Sequence, residues 1–218
     1  MTHTLHRTGD RESLMHDFPT HCMSAGGFNR FGDRPDIPDH RPHIRRYLEI
    51  SHDAGAINYG EGKIGNLAEN GYDYIHDNLF VITHALFTEP EQVTEMLTRC
   101  GEEEIGMSVT CAGLFDVLFD CCRKAHLHPN CIEESLGVMG DEGHMLDDKV
   151  AVITTMCGHG QISQAMVFEM LKKIKRGEIT AMEASTELNK YCSCGIFNIP
   201  RGAQLLQEYT ALYTVIER

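Results

Sequence analysis

The sequence predicts an α/β fold with a mainly parallel sheet built of βα units and a helical C-terminal segment. From about residue 79, short apolar runs alternate with amphipathic segments, which is typical of βα units on a parallel sheet. After about residue 178, the apolar residues keep helical spacing. The 218 residues are enough for one α/β domain over 1–218, with a less regular N-terminal part (1–78), a βα core (79–177) and C-terminal helices (178–218).

The N-terminal part carries one predicted helix over residues 42–53. Two glycine-bearing polar loops, 24–33 and 58–66, lie on either side of it. The second loop superficially resembles a G-x-G-x-x-G fingerprint, but no clear strand precedes it. We therefore do not interpret it as a dinucleotide-binding motif.

Three βα units are predicted in the core. The first strand is nearly continuous in apolar residues and rich in β-formers, so a buried position is expected. A capping-box match at Thr88 to Glu91 begins its helix, and Gly101 ends it. The units are strand 79–87 with helix 88–101, strand 104–110 with helix 112–125, and strand 149–156 with a helix from Ile162 to Gly177. A further strand is predicted over residues 130–138.

The C-terminal segment is predicted to be helical. A second capping-box match at Thr180 to Glu183 begins one helix, and Pro200 opens the last one. The apolar face of the last helix carries Tyr209 and Tyr213. This face either packs against the core, which we favour, or forms the seam of a homodimer.

Composition excludes several classes of function. The formal net charge is −13, from 32 acidic and 19 basic residues, so binding of nucleic acid is not expected. No apolar run approaches the length of a membrane span, and residues 1–18 contain no apolar region of the kind that a secretory signal has. Nine cysteines in such a chain predict reduced thiols and a cytoplasmic location. Metal binding and thiol chemistry are the functions that this composition favours.

Two cysteines follow predicted strands. Ligands of open α/β sheets bind at the carboxyl ends of the strands, where Cys111 and Cys157 are both expected. A thiol at a helix N-terminus also has its thiolate stabilised. Cys157 begins the sequence Cys-Gly-His-Gly, whose glycines allow close approach of a ligand. Cys157 is thus the stronger candidate, and Cys111 is either catalytic or part of a tight turn.

The other strong signal is the pair Cys192 and Cys194, one residue apart in a loop that ends in glycine. With Cys157 they supply three thiolates, which suit soft metals or iron–sulfur clusters. His159 is the candidate for a fourth ligand or for a proton-transfer group. These residues predict a metal centre, provided that the two loops meet.

Two further residues are candidates for the site. His84 interrupts a buried apolar strand and therefore needs a partner, either in the core or in a catalytic site. Arg201, near the start of the last helix, has a guanidinium suited to an anionic substrate, although surface solvation or a carboxylate partner explains it equally well.

The leading functional hypothesis is an iron–sulfur enzyme acting on a small molecule. Cys157, Cys192 and Cys194 would hold a [4Fe-4S] cluster with one open iron as Lewis acid, in a lyase or desulfidase type of reaction. Three alternatives stay open. They are a zinc site of the same cysteines with His159, a metal-free enzyme that uses cysteine thiolates, and a metal-binding accessory or sensor protein.

Overall fold

A computed structural model of the protein describes residues 7–23, 35–36, 38–134, 141, 143 and 148–212. Within these ranges, strands and helices mix up to residue 124, and only helices follow. The strands are β1 (Phe18–Met23), β2 (Asn58–Glu61), β3 (Gly65–Asn66), β4 (Ile82–Phe87) and β5 (Ser108–Cys111). The helices are α1 (Arg11–Leu14), α2 (Arg41–Asp53), α3 (Leu67–Asn78), α4 (Pro90–Glu102), α5 (Phe115–Lys124), α6 (Asp148–Thr154), α7 (Gln164–Lys175), α8 (Ala181–Asn189) and α9 (Ile199–Leu212).

The prediction of a mainly parallel sheet is wrong, because the described strands form one antiparallel sheet in the order β3-β2-β4-β1-β5. Two βαβ units, β1-α2-β2 and β4-α4-β5, are interleaved. The two strands of each unit run in the same direction, but a strand of the other unit lies between them. This is the split β-α-β arrangement, in which alternating strands and helices produce antiparallel neighbours.

Two local predictions are also wrong. Most of the expected strand 149–156 is the helix α6. Val150 and Ile153 in this helix and Met156 in the turn after it are all buried at a spacing of three residues. A short apolar run does not by itself distinguish a strand from a buried helical turn. The expected loop 58–66 is the β2-β3 hairpin. The alternation of apolar and polar side chains that predicts a strand is missing here, because Gly60 and Gly65 carry no side chain.

Several helices are confirmed. The helix expected over 42–53 is α2, and the one expected from 88 to 101 is α4, whose capping box is formed by Glu89 and Gln92 instead of Thr88 and Glu91. The capping box of Thr180 and Glu183 begins α8 as predicted. In these segments the local sequence determines where the helix begins.

Some predictions fall partly or wholly outside the described residues. These are the loop 24–33, residues 135–138 of the expected strand 130–138, and Tyr213. The described residues 131–134 form no regular structure. Tyr209 is buried in the C-terminal core, as favoured above.

The two faces of the sheet pack against different partners. On one face, Phe18, Tyr59 and Phe87 belong to a core shared with residues of α2, α4 and α5. The other face, which we call the histidine face, carries His21 and His84 directly opposite each other, with Gly60 next to His84 on β2. The C-terminal helices α6 to α9 have a core of their own and cover this second face.

Two glycines allow the C-terminal segment to contact the sheet through its backbone. A Cβ atom at Gly195, whose φ is +74°, would overlap the carbonyl group of Tyr59 and lie 2.8 Å from the Gly60 nitrogen. A Cβ atom at Gly60 would lie 3.0 Å from the Ser193 oxygen. Only a residue without a side chain permits this approach at both positions.

Gly195→Ala is therefore expected to destabilise the protein far more than Gly177→Ala. Gly177 has a similar φ of +70°, but nothing lies within 4 Å of the position that a Cβ atom would take there. The control change should cost about 1 kcal/mol from the left-handed backbone alone, and Gly195→Ala about 3 kcal/mol because overpacking is added. Urea unfolding of both variants measures the difference. Equal losses would contradict a tight contact at Gly195.

Candidate functional site

The structure brings the three predicted cysteines together. Cys157 lies in the turn after α6, and Cys192 and Cys194 lie between α8 and α9. The Sγ atoms of Cys192 and Cys194 are 3.8 Å apart, and the Cys157 thiol is hydrogen-bonded to Cys192. All three side chains are buried. The two loops thus meet, although Cys157 follows a helix and not a strand, and α7 begins only at Gln164.

Arg7 ties these two loops together from the N-terminal side. Its guanidinium donates hydrogen bonds to the carbonyl oxygens of Thr155 and Met156, just before Cys157, and to that of Ile196, just after Cys194. Its Nε lies 3.1 Å from the carboxylate of Asp17. The buried guanidinium of Arg7 therefore fixes the backbones of the two cysteine loops relative to each other.

Buried asparagines hold the Cys192 loop from the sheet side. Asn66 donates to the carbonyl oxygens of Cys192, at 3.0 Å, and Asn189, at 3.1 Å. Asn189 donates to the Asn66 side chain and accepts from Asn58 on β2. Buried amides that are paired in this way restrict the loop to one position.

Backbone N–H groups also point at the sulfurs. Those of His159 and Gln161 donate to Cys157, and that of Ile196 donates to Cys192. The pKa of Cys157 is nevertheless raised, chiefly by its hydrogen bond to Cys192 and then by burial. A hydrogen bond from Cys157 lowers the pKa of Cys192, but the bond to Cys194 and burial outweigh it and raise the value to about 12. Removal of these protons needs a positive charge, such as a bound cation.

Histidines continue the cluster toward the sheet. Nδ1 of His159 lies 3.5 Å from Cys194 Sγ. The ring of His84 is 6.2 Å from that of His159, centroid to centroid, and the ring of His21 is 5.8 Å from that of His84. Sequence reasoning missed His21, because the strand β1 was not predicted. Its signal was a histidine between apolar residues in the segment Phe18–Met23.

The two sheet histidines are buried and incompletely satisfied. His21 is 1% exposed and His84 4% exposed. In each ring, Nδ1 has no hydrogen-bond partner among the described residues, a condition that costs about 1–3 kcal/mol per group. Burial lowers the pKa of His21 to about 4 and that of His84 to about 3, where His21 and His159 add to the effect. Both rings are neutral at pH values near 7.

An open cleft of about 250 Å³ leads to these groups. It is lined by Glu61, Gly62, Lys63, Val81, Ile82, His84 and His159. The Glu61 carboxylate accepts hydrogen bonds from the backbone of Phe80 and Val81, and burial raises its pKa. The cleft therefore reaches the largely buried ring of His84 and the ring of His159, which contacts Cys194.

The other two predicted site residues lie elsewhere. Cys111 ends β5 and contacts the core on the opposite face of the sheet, where burial raises its pKa. Arg201 is 5% exposed and bonds to Asp17 at 2.5 Å, to Ser13 and to the carbonyl oxygen of Thr8. Catalysis by Cys111 and substrate binding by Arg201 stay predictions. The structure places Cys111 away from the thiol cluster and directs Arg201 at internal partners.

In the described ranges, no group of three or more His, Cys, Asp or Glu side chains is already arranged to hold a metal ion. In the same ranges, no helix is both long and apolar enough to cross a bilayer.

In comparisons with known proteins, no family model matches this chain, and no curated protein or solved structure matches it. The fold and the site therefore define only a class. It is a split β-α-β sheet whose histidine face is covered by a helical segment rich in thiols.

The buried histidines predict a loss of stability in acid. Because the folded pKa values of His21 and His84 lie below the ordinary value of 6.5, the unfolded chain binds more protons as the pH falls. With a metal chelator present, we expect the free energy of unfolding to fall by about 2 kcal/mol per histidine between about pH 7.5 and pH 5. Urea unfolding at both pH values should show a smaller loss for His84→Leu. His16→Leu, at an exposed position, should keep the full loss, and equal losses in both variants would refute the prediction.

Proposed function

We propose that this chain is a metal-dependent enzyme with one thiophilic metal ion, best matched by zinc, on Cys157, Cys192, Cys194 and His159. The observation that carries the proposal is the spacing of the donor atoms. Three thiols and one imidazole come from two loops that are held together on both sides. Zinc prefers four such ligands in a tetrahedron.

The spacing matches the edges of a zinc tetrahedron. With zinc–sulfur bonds of about 2.3 Å, two sulfurs on one ion are about 3.8 Å apart, and a sulfur and a bound imidazole nitrogen are about 3.6 Å apart. Cys192 and Cys194 are separated by 3.8 Å, and Cys194 and His159 by 3.5 Å. Two of the six edges of the proposed tetrahedron therefore have the expected length.

Backbone donors at the sulfurs favour the deprotonated form, against the thiol contacts and burial that raise the pKa values of Cys157 and Cys192. Backbone N–H groups donate to Cys157 and Cys192, and such bonds stabilise the thiolates that bind metals. The asparagines and Arg7 fix the loops themselves, so the ligands are positioned by groups around them. Support of the ligands by surrounding hydrogen bonds is typical of metal centres.

The cleft supplies the substrate side of the proposed enzyme. His159 lines the cleft and contacts Cys194, so it is the ligand that a small-molecule substrate would replace. A metal ion held by the cysteines would supply Lewis acidity at that position. His84 lines the same cleft, and Nδ1 of its neutral ring would be placed for proton transfer as long as it binds no metal ion. A lyase type of reaction, such as an elimination, dehydration or desulfuration, uses this combination.

A [4Fe-4S] cluster on the same three cysteines is the second candidate. The cleft favours it, because an open iron would face substrate at the position of His159. A metal-free thiolate enzyme has less support, because nucleophilic cysteines ordinarily have lowered pKa values, whereas those of Cys157 and Cys192 are raised. We also propose a cytoplasmic location, because the nine cysteines are all free and thiols persist in reducing compartments.

Metal analysis of protein purified without oxygen tests the centre. We expect at least one zinc ion per chain, no sulfide and no visible colour. Iron and sulfide in equal amounts, with brown colour, would replace zinc by the cluster. A protein that takes up neither metal, and whose thermal stability zinc does not change, would refute both metal proposals.

Single variants test the ligands through Co²⁺ replacement. Cys157→Ser, Cys192→Ser and Cys194→Ser should each weaken the sulfur-to-cobalt absorption and lower the affinity by at least about tenfold. His159→Ala should keep the absorption, because three thiolates remain. Cys121→Ala is the matched control, since this cysteine is buried in the other core. If Cys121→Ala has the same effect as the loop variants, the assigned ligands are wrong.

A further inference from the structure

A second donor set lies on the histidine face, beside the thiols but separate from them. Nδ1 of His21 and Nδ1 of His84 are both buried, and neither has a hydrogen-bond partner among the described residues. Buried polar atoms are nearly always paired, so two unpaired ring nitrogens next to each other need an explanation. A bound ligand that accepts both lone pairs is such an explanation.

The register of the sheet places the two rings together. His21 and His84 are direct partners in the β1-β4 ladder, so both side chains leave the same face. Their ring centroids are 5.8 Å apart. Two imidazoles that bind one metal ion have centroids about 5–6 Å apart. Paired central strands also hold the rings more rigidly than loops do.

The ring of His84 is oriented by a neighbour. The Gly60 backbone is hydrogen-bonded to this ring, while Nδ1 is left without a partner in the described structure. A metal-binding histidine is usually held in this way, with a backbone group on one ring nitrogen and the ion on the other.

We propose that His21 and His84 form a second metal-binding site, for one divalent ion of borderline softness such as Zn²⁺, Co²⁺ or Ni²⁺. The ion lies between the two rings, and its remaining positions face the cleft that His84 lines. Two protein ligands leave those positions to water or substrate, as in catalytic metal sites. Imidazole nitrogen is a suitable ligand for these metals.

This site does not depend on the function proposed for the thiols. The proposed ligand of the thiol site that lies next to His84 is His159, and the centroids of these two rings are 6.2 Å apart. The two centres differ in their donor atoms, so each one has its own spectroscopic signature. Failure of one proposal therefore leaves the other testable.

Titration of the full-length, metal-free chain with Co²⁺ in equilibrium dialysis tests the second site. We expect two ions per chain, of which only one produces sulfur-to-cobalt absorption. His21→Leu and His84→Leu should each remove the ion without sulfur absorption and leave the other. The triple variant with serine at Cys157, Cys192 and Cys194 should lose the absorbing ion and keep the second.

The control for metal binding by surface histidines is His16→Ala, a change at an exposed position. This variant should bind the same number of ions per chain as the wild type. Folding of the leucine variants is checked by thermal unfolding without metal, where loss of an unpaired polar atom should leave stability equal or higher. In the wild type, ¹⁵N spectra of labelled histidine should show Nδ1 of both rings shifting on addition of Zn²⁺. The proposal would be overturned if both leucine variants still bound the second ion, or if the wild type bound only one ion. It would also be overturned if the Nδ1 signals did not shift on addition of Zn²⁺.

Discussion

The contact between the histidine face and the loop at residues 192–195 is the interaction on which the site depends. Gly195 approaches the backbone of β2 at Tyr59 and Gly60, with no room for a side chain on either glycine. At this distance every backbone polar group needs a partner, and Asn58, Asn66 and Asn189 form the network beside it. The thiols of the C-terminal segment and the histidines of the sheet become neighbours only through this contact.

A buried ionic group supports the same arrangement from the other side. Arg7 and Arg201 share the carboxylate of Asp17, which is fully buried. Burial of these three charges has a large desolvation cost. That cost is offset only when the guanidinium N–H groups that do not contact Asp17 have other hydrogen-bond acceptors. Here the guanidinium of Arg7 bonds to carbonyl oxygens beside Cys157 and Cys194. The arginines thus link the N-terminal segment, α9 and the cysteine loops.

Burial acts in opposite directions on the two kinds of donor. After the hydrogen bond to Cys192, it is the next cause of the raised pKa of Cys157. It lowers the pKa values of His21 and His84, because in each case burial favours the neutral form. A neutral imidazole already has the lone pair that a cation needs, whereas a neutral thiol has to lose its proton. Metal binding as proposed would therefore require no loss of a proton from the histidines at neutral pH, but it would require one from each thiol.

The sequence by itself determined the local elements and the chemistry that they carry. Apolar spacing and capping residues predicted α2, α4, α7 and α8. The short spacing of Cys192 and Cys194, and of Cys157 and His159, indicated which loops carry metal-binding side chains.

The strand order could not be predicted from the sequence, because interleaved and consecutive βαβ units have the same alternation of strands and helices. Val150, Ile153 and Met156 were equally ambiguous, since three apolar residues fit a strand or a helical turn. His21 had no visible partner in the sequence, because His84 is its neighbour only through pairing of β1 with β4. Tertiary structure decided these points, since non-local strand pairing and the approach of Gly195 to β2 depend on the whole packed chain and not on any one segment of it.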